Sequence, residues 1–274
     1  MPPACKERRR PLRNLSPAKH HLHYAILFSG MSLRRHVNGL EFCYRALVDR
    51  LGFASENIQV LNYDGSLRAF GESDSDSPGV WPGDGTAFRI VVSAAGSRES
   101  FQQALGAIGA KLTPEDEVFI NITGHGGHHG DERGPDLLTH PNCKRYRRDE
   151  FCADLATLPA HRSLVVLMTQ CFSGGFNQAV IAASRADSTF IASATSETRP
   201  SFAADDLNWD TFQRNWVAGL AGRDVDGTVI PGDAGVPITV ANAFRYATTC
   251  PSRSLYDSPQ FAARPAGAGA LTLV

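Results

Sequence analysis

Five short stretches of the chain consist mainly of apolar residues, and each ends at glycine or polar residues. This pattern is typical of strands that are buried on both faces, as in a parallel sheet. The five predicted strands lie at residues 24–28, 58–63, 117–123, 163–169 and 189–194.

Apolar positions at helical spacing occur between and after these strands. They predict helices at residues 37–51, 97–112, 148–158, 176–183, 209–220 and 240–249. Strands that alternate with helices favour a mostly parallel central sheet with helices on both faces. The pattern therefore predicts an α/β fold built as a three-layer αβα sandwich.

Two stretches lack both patterns. Residues 64–85 are rich in Gly, Ser, Asp and Pro and predict a long loop. Residues 1–22 contain the basic run KERRRPLR and predict a solvated, flexible arm. We therefore expect a basic N-terminal arm over residues 1–22 and one domain over residues 23–274.

The composition narrows the classes of function. The chain has 274 residues, of which 42% are hydrophobic and 20% charged, so it can bury a sizeable core. The net charge of −1 gives no general attraction to nucleic acid, and no apolar run is long enough for a membrane span or a signal peptide. The six cysteines have no paired spacing, which is typical of a reducing compartment. We therefore expect a cytoplasmic protein with no nucleic-acid partner and no membrane span.

The third and fourth predicted strands end in similar sequences, ITGHGG (122–127) and TQCFSGG (169–175). If these strands are neighbours, His125 and Cys171 lie at the same sheet edge, about 5 Å apart in strand spacing. A thiol needs a nearby base or cation to act as a nucleophile. Glycines allow a substrate carbonyl to approach and leave the backbone N–H groups of Gly126 and Cys171 free for an oxyanion. The two ends together predict an acyl-transfer site.

Longer segments point to a family. GMSLRRHVN (30–38) places an Arg-His pair after the first strand, and RLGFASENIQVLNYD (50–64) leads through the second strand to an aspartate. Together with ITGHGG, these segments resemble the legumain family, which includes the catalytic subunit of GPI transamidase. The resemblance extends over about residues 24–215. CFSGG (171–175) is more similar to metacaspases, and DSPQ (257–260) resembles a tail common in bacterial caspase-like domains.

All of these proteins share the caspase-type fold, so the resemblance implies a caspase-like sandwich and a cysteine endopeptidase. Cys171 would be the nucleophile and His125 the general acid/base, and hydrolysis would pass through a thioester. Arg35 matches the legumain arginine that lines the pocket for Asn or Asp, and a guanidinium can bind either side chain. The resemblance therefore implies cleavage after Asn or Asp. The expected pocket residues are Arg35, the adjacent His36, and three acids in the loop after the fifth strand: Glu197, Asp205 and Asp206.

Two departures from the family keep alternatives open. Leu33 stands where the family has a catalytic asparagine, and Thr169 stands where it usually has an acidic residue. The chain could instead be a catalytically silent caspase-like module that binds partners. A loop acid in the pocket would favour an amide or a basic side chain over a carboxylate at the cleavage position, although Thr169 argues against an Arg/Lys preference of the metacaspase kind.

A metal site is the alternative for the residues around the histidine motif, namely His128, His129, Asp131, His140 and Cys143. Histidine and cysteine are common zinc ligands, but this spacing matches no compact zinc site. We expect no metal and no cofactor, and a protein or peptide substrate as the partner. The sequence does not indicate an oligomeric state.

Overall fold

The computed structural model describes residues 21–73, 79–128, 134–230 and 238–273. In chain order, its strands are β1 (His23–Ser29), β2 (Ile58–Asn62), β3 (Glu117–Thr123), β4 (Gly126–His128), β5 (Pro135–Thr139), β6 (Lys144–Arg147), β7 (His161–Met168), β8 (Ala186–Ser193) and β9 (Gln260–Arg264). Its α-helices are α1 (Arg34–Arg50), α2 (Arg98–Gly109), α3 (Arg148–Leu155), α4 (Asn177–Ala183), α5 (Thr211–Ala221) and α6 (Val240–Thr249). Three short 3₁₀ helices lie at Ser55–Asn57, Ser173–Phe176 and Ala266–Ala270.

The main sheet has six strands in the order β2-β1-β3-β7-β8-β9. The first five are parallel, and β9 closes the edge in the antiparallel direction. The predicted parallel sheet is confirmed, and so is the expectation that β3 and β7 are neighbours, since Ile122 lies opposite Met168. The two candidate catalytic segments therefore leave the sheet side by side.

Helices cover both faces of this sheet. On one face α1, α5 and α6 pack on the strands, and the ring of Trp216 stacks on Phe119 with centroids 6.1 Å apart. On the other face α2, α3 and α4 do so, with Phe101 and Phe151 stacked at 5.2 Å. The strands are buried on both sides because alternate residues belong to opposite cores. The three-layer αβα sandwich is confirmed.

The first residues of α1 and α2 can be compared with the predicted helix starts, and the start of α1 affects the candidate site. The predicted start of α2 is confirmed, since the Ser97 hydroxyl accepts the N–H of Ser100 at 3.1 Å. Helix α1 begins at Arg34, three residues earlier than predicted. Arg35 and His36 consequently lie in the first turn of a helix, close to the carboxyl end of β1, rather than in a loop.

A second, small sheet was not predicted. It contains β4, β5 and β6 as antiparallel neighbours and follows the histidine directly. The basic residues 144–147, for which the apolar pattern predicts no element, form β6, whereas α3 begins at Arg148 as predicted. Only Tyr146 of this strand is buried, because the other three side chains, all cationic, face solvent on an edge strand.

The predicted basic arm over residues 1–22 lies outside the described residues, except for residues 21 and 22. In the part of residues 64–85 that the structure describes, the chain forms no helix or strand, as predicted. Within the described ranges, none of the helices has the length and apolar character needed to cross a membrane.

Candidate active site

The turn that carries His125 lies between the two sheets. Gly124 follows β3 with φ of +119°, a conformation that favours glycine, and β4 begins at Gly126. The carbonyl of His125 accepts the N–H of Leu138 at 3.0 Å. The backbone of His125 is therefore fixed on a short turn by a main-chain hydrogen bond, and the side chain is half-buried.

The turn that carries Cys171 is equally constrained. It follows β7 by two residues, and Phe172 adopts a left-handed conformation with φ of +62°. The N–H of Phe172 donates to the carbonyl of Arg199 at 2.9 Å, which ties the turn to the segment after β8. The thiol of Cys171 is free and partly exposed.

The two turns touch each other. The N–H of Thr169 donates to the carbonyl of Ile122 at 2.9 Å, which continues the pairing of β7 with β3. A Cβ added at Gly126 would collide with the carbonyl oxygen of Cys171 and come within 2.9 Å of the Cγ of Gln170. Glycine at 126 is thus required for the approach of the histidine turn to the cysteine turn.

Two backbone N–H groups are available at this junction. Gly126 pairs with Leu137 in β5, and the flanking Leu138-to-His125 bond makes this a non-hydrogen-bonded pair. The N–H of such a residue points away from its partner strand. The N–H of Cys171 has no hydrogen-bond partner among the described residues. Both groups are thus free to bind a ligand, and their role as oxyanion donors stays a prediction.

The sulfur of Cys171 contacts Ser201. The Ser201 N–H donates to Sγ at 3.4 Å, and the Ser201 hydroxyl lies 3.8 Å from it. Within the described residues, no hydrogen bond joins Sγ to the imidazole of His125. In this state the sulfur is therefore held by the loop after β8 rather than by the histidine.

The imidazole of His125 lies near charges of opposite sign. Burial lowers its pKa from the ordinary value, the Arg35 guanidinium lowers it further, and the Asp210 carboxylate opposes the shift. The ring of His36 stands edge-on to it, with centroids 5.3 Å apart. The neutral form of His125 is therefore favoured at neutral pH.

Asp210 connects the neighbouring polar residues. Its Oδ1 accepts the Nε–H of Arg35 at 2.8 Å, and its Oδ2 accepts the Thr123 hydroxyl at 2.9 Å. Nε2 of the fully buried His36 lies 3.6 Å from the same Oδ2. Nδ1 of His36 accepts the N–H of Leu33 at 2.9 Å, so the ring proton belongs on Nε2, facing Asp210. Arg35 and His36 are thus brought together with His125.

Sequence reasoning missed Asp210 and Ser201. Asp210 is the N-cap residue of α5, but the apolar pattern placed the helix start at Trp209 and so hid an aspartate at a helix boundary. The available signal was an aspartate at the boundary of a predicted helix, where aspartate is a preferred N-cap residue. No sequence signal distinguishes Ser201 within its polar loop.

The three loop acids that were expected in the pocket are exposed. Glu197 lies 4.0 Å from Arg148 and packs beside Gly175, and Asp206 accepts the N–H of Asn208 at 2.9 Å. Asp205 is exposed in the same turn. No hydrogen bond or ion pair joins these acids to Arg35, His125 or Cys171 in the described structure, and their pocket role stays a prediction.

The metal alternative receives no support from the residues that are described. His128, His140 and Cys143 belong to no group of three or more His, Cys, Asp or Glu residues arranged to hold a metal, as judged over the described ranges. His129 and Asp131 lie outside those ranges.

Comparison with known proteins bears on the family and on the fold. Residues 95–221, less than half of the chain, match the Peptidase C13 family, and this stretch contains His125, Cys171 and Asp210. No curated protein matches the chain. Among solved structures, protein GSU0716 from Geobacter sulfurreducens is similar at 15% sequence identity and a TM-score of 0.55, covering 88% of this chain and 93% of that chain. The structural likeness shows a shared fold, and the family match supports a cysteine-type peptidase.

Proposed function

We propose that the chain is a cysteine endopeptidase in which Cys171 is the nucleophile and His125 the general acid/base. The observation that carries the proposal is the contact between two glycine-flanked turns at the ends of β3 and β7. The match of residues 95–221 to the Peptidase C13 family supports it independently and favours membership of that family.

The reaction follows from the groups at this junction. The sulfur of Cys171 bonds to the scissile carbonyl carbon as the thiol proton passes to His125. The oxyanion that forms is bound by the N–H groups of Gly126 and Cys171. The C–N bond then breaks, His125 returns the proton to the leaving amine, and a thioester remains. Water hydrolyses the thioester and regenerates the thiol.

Arg35 makes His125 a better acid. The guanidinium destabilises an imidazolium next to it, so the proton gained from the thiol is readily released to the amine. Because the sulfur is hydrogen-bonded to Ser201 and not to His125 in the described structure, proton delivery to the leaving group is the main role that we assign to His125.

The Arg35–Asp210 pair favours asparagine at the cleavage position. Arg35 uses Nε for Asp210, and its terminal amino groups have no hydrogen-bond partner in the described part of the chain. A carboxamide offers both an acceptor for the guanidinium and a donor for the carboxylate, whereas an aspartate side chain is repelled by Asp210. A basic side chain would have to compete with Arg35 for Asp210, so the basic preference ranks last.

Location and partners belong to the same proposal. The expected partner is a protein or peptide substrate, and the expected location is the cytoplasm. The five cysteines that the structure describes are free thiols, in agreement with reducing surroundings.

The test combines cleavage with labelling. A peptide library with the wild-type protein should show cleavage after Asn, and Cys171→Ala should abolish it while Cys143→Ala, which alters another accessible thiol, should not. An aza-Asn electrophile should label Cys171 in preference to Cys143.

Other outcomes point to the alternatives. Equal labelling of both thiols without cleavage indicates a silent interaction module. Chelator-sensitive cleavage that survives Cys171→Ala indicates a metal hydrolase.

A further inference from the structure

The segment after β8 lies directly on the nucleophile turn. The carbonyl of Arg199 accepts the N–H of Phe172 at 2.9 Å. Two residues later, the N–H of Ser201 donates to Sγ of Cys171 at 3.4 Å. A backbone N–H that points at a sulfur stabilises the thiolate more than the thiol, because it supplies positive partial charge. The position of this segment thus affects the nucleophile.

One carboxylate from far along the chain anchors the segment. The N–H of Phe202 donates to Oδ1 of Asp257 at 2.9 Å, although 55 positions separate the two residues. The ring of Phe202 also contacts Tyr256, with centroids 5.4 Å apart. Asp257 in turn is oriented by Ser254, whose hydroxyl oxygen accepts the N–H of Asp257 at 3.2 Å. A rigid turn before β9 therefore presents an acceptor to the residue next to Ser201.

The contact is a hydrogen bond rather than an ion pair. The second oxygen of Asp257, Oδ2, is buried and has no hydrogen-bond partner. Burial raises the pKa of Asp257 to about 7, and the charge of Asp210 acts in the same direction. Because the free oxygen can carry the proton, Oδ1 remains an acceptor for Phe202 in either protonation state.

We propose that Asp257 is a positioning residue for the nucleophile: through Phe202 it keeps the Ser201 N–H against the sulfur of Cys171. The role rests on the proposed function, in which Cys171 is the nucleophile. The role of Asp257, in the DSPQ segment before β9, is separate from the roles of Arg35, His125 and Asp210.

The test measures the thiol itself and requires no turnover. The rate of alkylation of Cys171 by iodoacetamide at pH 7 reports the reactivity of its sulfur, because the thiolate is the species that reacts. Asp257→Ala should slow this alkylation about tenfold, because the Ser201 N–H is no longer kept against the sulfur. Asp257→Asn, which keeps a side-chain oxygen acceptor, should stay within about threefold of the wild type.

A matched control removes a carboxylate that makes the same kind of bond elsewhere. Asp226 accepts the N–H of Thr228 at 2.9 Å in an exposed turn, and Asp226→Ala should leave alkylation unchanged. Ser254→Ala provides a milder second variant, should Asp257→Ala fail to fold, and should slow alkylation about threefold.

The proposal is overturned if a folded Asp257→Ala protein, or Ser254→Ala in its place, is alkylated at the wild-type rate. It is also overturned if Asp257→Asn is slowed as much as Asp257→Ala, since charge would then matter and not the hydrogen bond. Absence of peptide cleavage by the wild type would count against the proposed function alone, because alkylation is measured without substrate.

Discussion

The charge state of His125 is governed by two residues from different elements. Arg35 comes from the first turn of α1 and Asp210 from the N-cap of α5, and their charges shift the pKa of the imidazole in opposite directions. Burial adds to the effect of Arg35, so the net shift is downward. The histidine therefore remains a base to lower pH than an exposed histidine would.

Replacement of Arg35 should reveal this balance. In Arg35→Gln, the cation that lowers the pKa of His125 is gone, while the Asp210 carboxylate that raises it remains. The acid limb of the pH profile of kcat/KM should move to higher pH. Steady-state kinetics with an Asn peptide measures this limb, and the Arg35→Lys variant, which keeps a cation, is the control. A limb that stays in place in Arg35→Gln would show that Arg35 does not act on His125.

The preference for asparagine over aspartate should depend on pH. Burial raises the pKa of Asp210, and the Arg35 guanidinium and the Thr123 hydroxyl oppose this shift. As the pH falls and Asp210 takes up a proton, its repulsion of a substrate carboxylate disappears, so cleavage after Asp should rise relative to Asn. Paired Asn and Asp peptides measured from pH 4 to 7 provide the ratio, in the range where raised carboxyl pKa values commonly lie. A ratio that is constant with pH would exclude Asp210 from the pocket.

At the scale of elements, the site depends on the junction between the main sheet and the small sheet. The turn after β3 enters β4 at Gly126, and the close contact of this residue with Cys171 sets the separation of the two turns. A residue with a side chain at this position would push the small sheet away from β7.

Gly126→Ala tests this contact. The added methyl group would collide with the carbonyl of Cys171, so we expect activity to fall by at least about a hundredfold, the scale of a lost oxyanion donor. Gly106→Ala in α2 is the matched control. A Cβ there meets no atom within 4 Å, and the change should leave activity intact and stabilise the helix by about 1 kcal/mol. Thermal unfolding and kcat/KM separate the two effects, and full activity in Gly126→Ala would contradict the proposed junction.

At the scale of the whole molecule, buried histidines should make stability sensitive to acid. Burial lowers the pKa of His36 well below its ordinary value of 6.5, and Arg35 and His125 act in the same direction. The pKa of His125 and of His161 is also lowered, mainly by burial. Each of these three histidines is therefore neutral in the folded protein at neutral pH.

The contribution of these three histidines to the free energy of unfolding should therefore decrease as the pH falls below about 6.5. The unfolded chain takes up protons there, whereas the folded chain does not until the lower folded-state pKa values are reached. Urea unfolding between pH 4 and 8 measures the slope. His36→Asn should flatten it, because the Asn oxygen can accept the Leu33 N–H in place of Nδ1 without titrating. An unchanged slope in this variant would show that His36 does not contribute.

Much of the fold could be predicted from local pattern. The apolar runs at β3 and β7 and the capping serine of α2 carry information about their own segments, so their positions agree with the structure within a few residues. The small sheet could not be predicted in this way. Its strand β6 is almost entirely cationic and becomes a strand only because β5 pairs with it.

By itself, the sequence determined the layered α/β sandwich and the placement of His125 and Cys171 after neighbouring strands. Both follow from the spacing of apolar residues and from the glycines close to His125 and Cys171 in the sequence, and these are local properties. Only the tertiary structure decided that Asp210 pairs with Arg35, that Ser201 contacts the sulfur, and that Asp257 binds the neighbouring Phe202. These contacts join residues 30 to 175 positions apart, and polar side chains in loops carry no periodic signal of the partners that folding brings to them.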